Sequence, residues 1–360
     1  MTLSTPLLAA APLVAGLMGP ALIGATPAQQ TPAQHSAERP AATRLTRVAP
    51  RTEILEHTAA RTSADQRRVL GYWTPQRMAG ALPIDLLGTV TKDGGLLSGL
   101  TNQSGLAAAP GLTGGAAKVA TPRRQSARPQ ASTSGSRWAT GGAVARTTGR
   151  VFLTIGGVDF VCSAGTVKSA NRDVVVTAGH CVKDGTGAWA DNWTFVPGYE
   201  AGGGKPFGSY TARRMFVAGP WSREANDSYD VGMVALNPSA SGRHVSDVVG
   251  AQNIAFNASR GTQTYGFGFP ADPPYDGEQL VYCSGRVKQD PYGQTRDQGL
   301  GCDMTAGSSG GPWLSGFDPA TGQGAVTSVS SFKYSDDQRT MWGPYFGDSV
   351  KALFSTAERA

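Results

Sequence analysis

Three short motifs, met in the order His, acid, Ser, limit the scaffolds open to this chain more than any other feature. Thr177-Ala178-Gly179-His180-Cys181 comes first, Tyr229-Asp230-Val231-Gly232-Met233-Val234-Ala235-Leu236 second, and Gly307-Ser308-Ser309-Gly310-Gly311-Pro312 last. A serine hydroxyl is a weak nucleophile until a neighbouring imidazole removes its proton. Glycines on both sides of Ser309 permit a tight turn that presents the hydroxyl and aims backbone N–H groups at a developing oxyanion. Asp230 opens an apolar run that reads as a buried strand, where an acid could orient the His180 ring. Singly each motif is ordinary, since a chain with 48 glycines contains many Gly-Ser turns. The order of the three is what discriminates.

Gly307-x-Ser309-x-Gly311 also fits the nucleophile elbow of α/β-hydrolases, but that scaffold needs a His after the Ser. The four histidines are His35, His57, His180 and His244, all before Ser309. An order with the acid ahead of the His would have to use Asp159 or Asp173, and neither lies in a suggestive motif.

Composition agrees with a β-rich fold. The 360 residues are 40% hydrophobic and only 16% charged, with 48 Gly and 23 Pro. Such a chain suits short strands separated by turns rather than long helices. Strands are expected at Arg150–Ile155, Val158–Ser163, Asp173–Thr177, Asp230–Leu236, Gly261–Phe267, Gln279–Val287 and Ala325–Ser330. Val350, Leu353 and Phe354 share one face of an expected closing helix, Asp348 to Thr356.

On the three motifs, residues 147–360 resemble a chymotrypsin/trypsin-like serine endopeptidase of bacterial secreted type, and Ser328-Val329-Ser330 fits that family's substrate-binding strand. The resemblance implies an all-β domain of two antiparallel six-stranded β-barrels with a short C-terminal helix, the helix expected to pack on the second barrel. The site would lie in the cleft between them, with His180 and Asp230 from the first barrel and Ser309 from the second. It implies peptide-bond hydrolysis through an acyl-enzyme, an oxyanion hole from the N–H groups of Gly307 and Ser309, and no cofactor or metal. Protein or peptide chains would be the substrates and the enzyme a monomer.

Specificity is read from Asp303 and Ser330. Asp303 lies six residues before Ser309, where trypsin-like enzymes keep the acid that binds Arg or Lys, so a basic preference is expected. The alternative is a Glu-specific bacterial relative, a group that generally uses a His where Val329-Ser330 stands here. A non-catalytic homologue acting as a binding module would usually have lost one of the three residues. Ser308 occupies the place of the Asp that receives the new N-terminus in animal digestive enzymes, so activation by N-terminal insertion is not expected.

The four cysteines, Cys162, Cys181, Cys283 and Cys302, show no Cys-x-x-Cys spacing, which argues against zinc. Four cysteines allow three connectivities. Cys162–Cys181 and Cys283–Cys302 are expected, the first supported by the resemblance. Each would close a loop of about 20 residues worth roughly 3 kcal/mol on the chain-entropy model. Structural disulfides imply an oxidising compartment.

Residues 1–28 read as a secretory signal, apolar and uncharged from Pro6 to about Ala25, although the first charged side chain is Glu38 rather than the usual opening Lys or Arg. A secreted, extracellular protein without stable membrane association is expected. Residues 29–146 read as a largely disordered leader, a propeptide and flexible connector. Helical pieces are expected near Thr52–Ala60 and Ser63–Leu70, the second capped by Ser63 with Gln66. Residues 1–146 carry 15 Lys and Arg against 6 Asp and Glu, net +9; residues 147–360 carry 17 against 20, net −3, giving +6 overall. The basic charge is therefore dispersed in the leader rather than gathered on a folded domain, which argues against nucleic-acid binding. A propeptide of opposite sign is an expected partner of the catalytic unit.

Overall fold

The structure, a computed structural model, describes residues 52–84 and 129–360. The expected signal peptide and residues 85–128 of the expected connector lie outside the described residues. The described residues belong to one compact unit.

Its first half is a closed barrel. Strand Tyr210–Ala218 pairs in turn with Asp191–Pro197, Thr148–Ile155, Val158–Thr166, Val174–Thr177 and Gly232–Leu236, and the last pairs back with Tyr210–Ala218. Period-two alternation explains how these sequences fill it. Val151, Leu153 and Ile155 face the barrel interior with Trp193, Phe195 and Met215, while Phe152 points outward into a separate cluster. The Cys162–Cys181 bridge has a Cα separation of 6.2 Å and crosses this interior.

The second half is carried by two sheets, whose pairings do not close a ring among the described residues. One orders Asn253–Ile254, Gln323–Val329, Pro312–Asp318, Gln263–Gly268, Val281–Arg286 and Thr133–Arg137; the other orders Lys288–Gln289, Gln298–Gly301, Asp337–Gly343 and Phe332–Tyr334. Cys283 and Cys302 join the two sheets with a Cα separation of 5.3 Å.

The closing helix, Asp348–Ala357, buries Val350, Leu353, Phe354 and Ala357. It packs on the first barrel rather than the second, against strands Tyr210–Ala218 and Gly232–Leu236. The reason lies in the alternation of those strands: Phe216 and Met233 turn outward and offer the helix an apolar face. At about 2 kcal/mol for each large apolar side chain buried, this contact outweighs the weak intrinsic stability of a ten-residue helix.

The leader also departs from expectation. Ile54–Thr58 is a strand, not a helix, and pairs antiparallel with Arg214–Ala218 of the barrel. An unpaired edge there recruits the segment, and tertiary pairing overrides local propensity. Helix Ser63–Tyr72 is present, but its cap lies one residue earlier than expected. Asp65 N donates to Thr62 Oγ1 at 3.1 Å and Thr62 N donates to Asp65 Oδ2 at 3.0 Å, a reciprocal capping box. Within the expected connector, Thr133–Arg137 is a strand and Gly142–Thr147 a helix.

Candidate active site

Strand Val174–Thr177 runs out into the turn that carries His180, and the turn Asp227–Tyr229 delivers Asp230 just before strand Gly232–Leu236. The two strands are neighbours, with Thr177 opposite Gly232. His180 Nδ1 lies 2.8 Å from Asp230 Oδ2, and the His180 backbone N–H donates to Asp230 Oδ1 at 2.8 Å. Both residues are fully buried. A carboxylate held by the backbone and ring of one histidine fixes the ring's orientation and its Nδ1–H tautomer. His180 Nε2, the nitrogen left to meet a nucleophile, has no hydrogen-bond partner among the described residues.

Ser309 sits on a loop of the second half that is fastened to the first. Ser163 is the fastening. Its N–H donates to Ser309 O at 2.8 Å, its hydroxyl donates to Gly307 O at 2.9 Å and accepts from Phe269 N at 2.9 Å, and its carbonyl accepts from Thr177 Oγ1 at 2.8 Å. Gly310 completes the fit with φ of +80°; a Cβ there would lie 2.0 Å from Thr177 Oγ1 and 2.5 Å from Ser163 O. No other residue tolerates both the angle and the crowding.

The loop's N–H groups divide into two sets. Ser308 N donates to Thr305 O, Gly310 N to Ser330 O and Gly311 N to Ser308 O. The N–H groups of Gly307 and Ser309 have no acceptor among the described residues. Two unspent donors flanking a serine are what an oxyanion hole requires. The Ser308 hydroxyl donates to Thr305 O at 2.6 Å, within its own loop.

The expected substrate-side residues fall in different places. Ser330 is fully buried; its hydroxyl accepts from Trp313 Nε1 at 3.0 Å and its N–H donates to Gly311 O, so it braces the nucleophile loop. The next residue, Ser331, donates its hydroxyl to Asp230 Oδ2 at 2.5 Å. Sequence reasoning missed it because either member of the Ser330-Ser331 pair could face the acid, and alternation decides only once the register is known. Asp303 is exposed, accepts from the Tyr275 hydroxyl at 2.7 Å and donates its N–H to Ser134 O at 2.6 Å. Two positions beyond Ser331, Lys333 is buried and donates to Gln338 O at 2.7 Å. Burial lowers its ammonium to about 8, with Asp303 and Asp337 opposing the shift.

A second acidic group interacts with Asp230. Asp297 is buried with neither carboxyl oxygen hydrogen-bonded among the described residues, and burial, then the charges of Asp227 and Asp230, push it up to about 8. Asp227 is pushed up to about 7 by burial and then by Asp230. The one other tight group of ligand-type side chains among the described residues is Cys162, His180 and Cys181. Its two sulfurs are joined in the disulfide, leaving no thiolate to hold a metal.

No protein-family model matches the chain. Two solved structures are similar along nearly their whole length. Protease Anisep from Arthrobacter nicotinovorans is 40% identical, with a TM-score of 0.57, over 60% of this chain and 96% of that one. The thermostable serine protease AL20 from an extremophilic microorganism is 37% identical, with a TM-score of 0.57, over 61% and 99%. Two curated relatives match over shorter stretches. The extracellular metalloprotease of Bacillus subtilis is 36% identical over 19% of this chain, and the glutamyl endopeptidase of Bacillus licheniformis is 33% identical over 27%. The chain spans only 22% and 30% of the length of those curated relatives. The likeness to these two whole solved proteases places the chain in the family of bacterial chymotrypsin/trypsin-like serine endopeptidases.

Proposed function

We propose that the protein is a secreted endopeptidase that cleaves protein chains through an acyl-enzyme on Ser309. His180 takes the Ser309 proton as the hydroxyl attacks the scissile carbonyl, then returns it to the leaving amine. Asp230, held by the His180 backbone and the Ser331 hydroxyl, keeps the ring oriented and stabilises its cationic form. The N–H groups of Gly307 and Ser309 receive the oxyanion. The observation that carries this reading is the His180–Asp230–Ser331 relay beside a serine loop with two unspent donors. The test is labelling by a serine-directed phosphonate together with hydrolysis of a protein substrate. Both should vanish in Ser309→Ala while the fold persists, and full labelling of the variant would remove Ser309 from the role.

For the residue before the scissile bond, Asp303 supports a preference for Arg or Lys through bidentate pairing with guanidinium. A specific observation favours a second reading, preference for Glu. Lys333 lies on the strand that begins beside the triad acid, its ammonium is buried with a single carbonyl acceptor, and it sits within the field of Asp303. A cation there would neutralise Asp303 and attract an acidic side chain. The glutamyl endopeptidase relative points the same way. Cleavage of matched peptides after Arg, Glu, Phe and Ala separates the two readings.

Export through residues 1–28 and processing in the leader complete the proposal. The two disulfides fit an oxidising compartment, and no helix among the described residues is long and apolar enough to cross a membrane.

A further inference from the structure

The barrel is closed, yet one of its strands keeps an open edge. Strand Tyr210–Ala218 meets Asp191–Pro197 only at Tyr210 and Thr211, so the backbone from Arg214 onward has no partner on that side within the barrel. Leader strand Ile54–Thr58 fills this edge, pairing from Ile54 opposite Ala218 to Thr58 opposite Arg214. The pairing continues beyond the strand, with Ala59 N donating to Arg213 O at 3.0 Å and Ala60 N to Ala212 O at 3.1 Å.

Further along, the same segment is bound at three independent points. Trp73 is buried against Phe152 and donates its indole N–H to Asn192 O at 2.6 Å. Asp159 accepts from the Tyr72 hydroxyl at 2.6 Å and from Arg77 at 3.0 Å. Leu82–Pro83 pairs parallel with Phe160–Val161, and Ile84 enters the barrel core. None of the segment's hydrogen bonds among the described residues reaches the nucleophile loop.

It does reach the triad acid indirectly. Glu53 O accepts from Gly219 N at 2.8 Å, and Glu53 pairs with Arg223, at the two ends of helix Gly219–Glu224. Trp221 of that helix donates to Lys183 O at 2.9 Å and lies 6.5 Å from the His180 ring. The helix leads directly into the turn that presents Asp230.

We propose that residues 52–84 are a permanent part of the active enzyme: after the chain is cut between 85 and 128 they remain as a separate, non-covalently held chain that completes the barrel edge and positions the Asp230 turn. Backbone pairing along an open edge supplies affinity, and the pockets that take Trp73 and Ile84 supply specificity. This inverts the expected fate of a propeptide, which is to leave. Its activity arm rests on the endopeptidase reading; its retention arm does not.

The test inserts a recognition site for a site-specific protease after Leu100 in the full chain. After cutting, size-exclusion chromatography is expected to recover both pieces together, with kcat and KM unchanged. The double variant Trp73→Ala, Asp159→Asn is expected to shed the leader piece once cut, with kcat falling at least tenfold and KM little altered. A synthetic peptide of residues 52–84 should restore kcat in a saturable manner. A wild-type leader piece that separates from a fully active remainder overturns the proposal, and so does activity that rises when the piece is removed. If no form is labelled by the phosphonate, the endopeptidase reading fails while co-elution still decides retention.

Discussion

The Ser331 hydroxyl donates to Asp230 Oδ2, the same carboxylate oxygen that faces His180 Nδ1. Two donors therefore converge on one oxygen, and the other is held by the His180 backbone N–H. The acid cannot rotate without breaking three contacts. Ser331→Ala removes one of them without adding bulk. A hydrogen bond to a charged group is worth about 1.5–3 kcal/mol, so kcat should fall roughly tenfold or more with KM nearly unchanged. Steady-state kinetics on a protein substrate checks this; an unchanged kcat would free Asp230 from dependence on Ser331.

Asp230→Asn should be far more damaging, because an amide can favour the wrong ring tautomer. A loss of about four orders of magnitude in kcat near neutral pH is expected. The measurement needs active-site titration of the same samples, so that misfolded protein is not mistaken for slow protein.

Gly310→Ala tests the seam between the halves. The new Cβ would collide with the Ser163 carbonyl, which is backbone and cannot swing away. Destabilisation of about 2–4 kcal/mol is expected, with loss of phosphonate labelling in whatever protein remains folded. Denaturant unfolding and labelling on the same samples provide both readings.

Asp297 predicts the pH dependence of stability. Its folded pKa of about 8 lies above the ordinary 3.8. The folded state therefore binds this proton more tightly than the unfolded chain does. The stability it contributes is fully present below 3.8 and is lost as pH rises through about 8. Asp227, raised to about 7, adds a loss of the same sign. Asp297→Asn, made in a Ser309→Ala background to prevent self-cleavage, should unfold at a higher temperature than its parent at pH 9. The advantage should be on the order of 2 kcal/mol and should shrink towards pH 4. Thermal unfolding across that range checks it, and an advantage independent of pH would show that the buried charge is not its source.

Processing should stop short of the folded start. Arg137 lies in a strand and Arg146 in a helix, and Trp138 between them is buried in the core of the second half. Cuts at Arg124 or Arg128 spare this structure. Mass spectrometry of the secreted protein should therefore find no catalytic chain that begins after Thr133.

The parts of this molecule legible in the sequence are those whose signal is local. Val174-Val175-Val176 and Gly232-Met233-Val234 announce buried strands by composition alone, and the helix from Asp348 is marked by its apolar face. Chemistry restricts which residue types appear together, and His180 and Asp230 lie side by side as their motifs suggest. What escaped depends on partners distant in sequence. Ile54–Thr58 has a mixed pattern and becomes a strand only because Arg214–Ala218 offers an edge. Ser163 looks like any strand serine until Gly307 and Ser309 are laid against it. Asp297 lies in a polar stretch with no apolar pattern to mark it as buried, yet it is 1% exposed.

Ser163 has a consequence for how the enzyme can move. One residue of the first half grips the nucleophile loop of the second by its amide and its hydroxyl. Swinging the halves apart would pull the Gly307 and Ser309 carbonyls away from Ser163 and disturb the loop that carries their free N–H groups. The two halves are thus held at a fixed spacing along this seam. On the endopeptidase reading proposed above, a folded target would then have to be admitted by its own local loosening and not by opening at this seam.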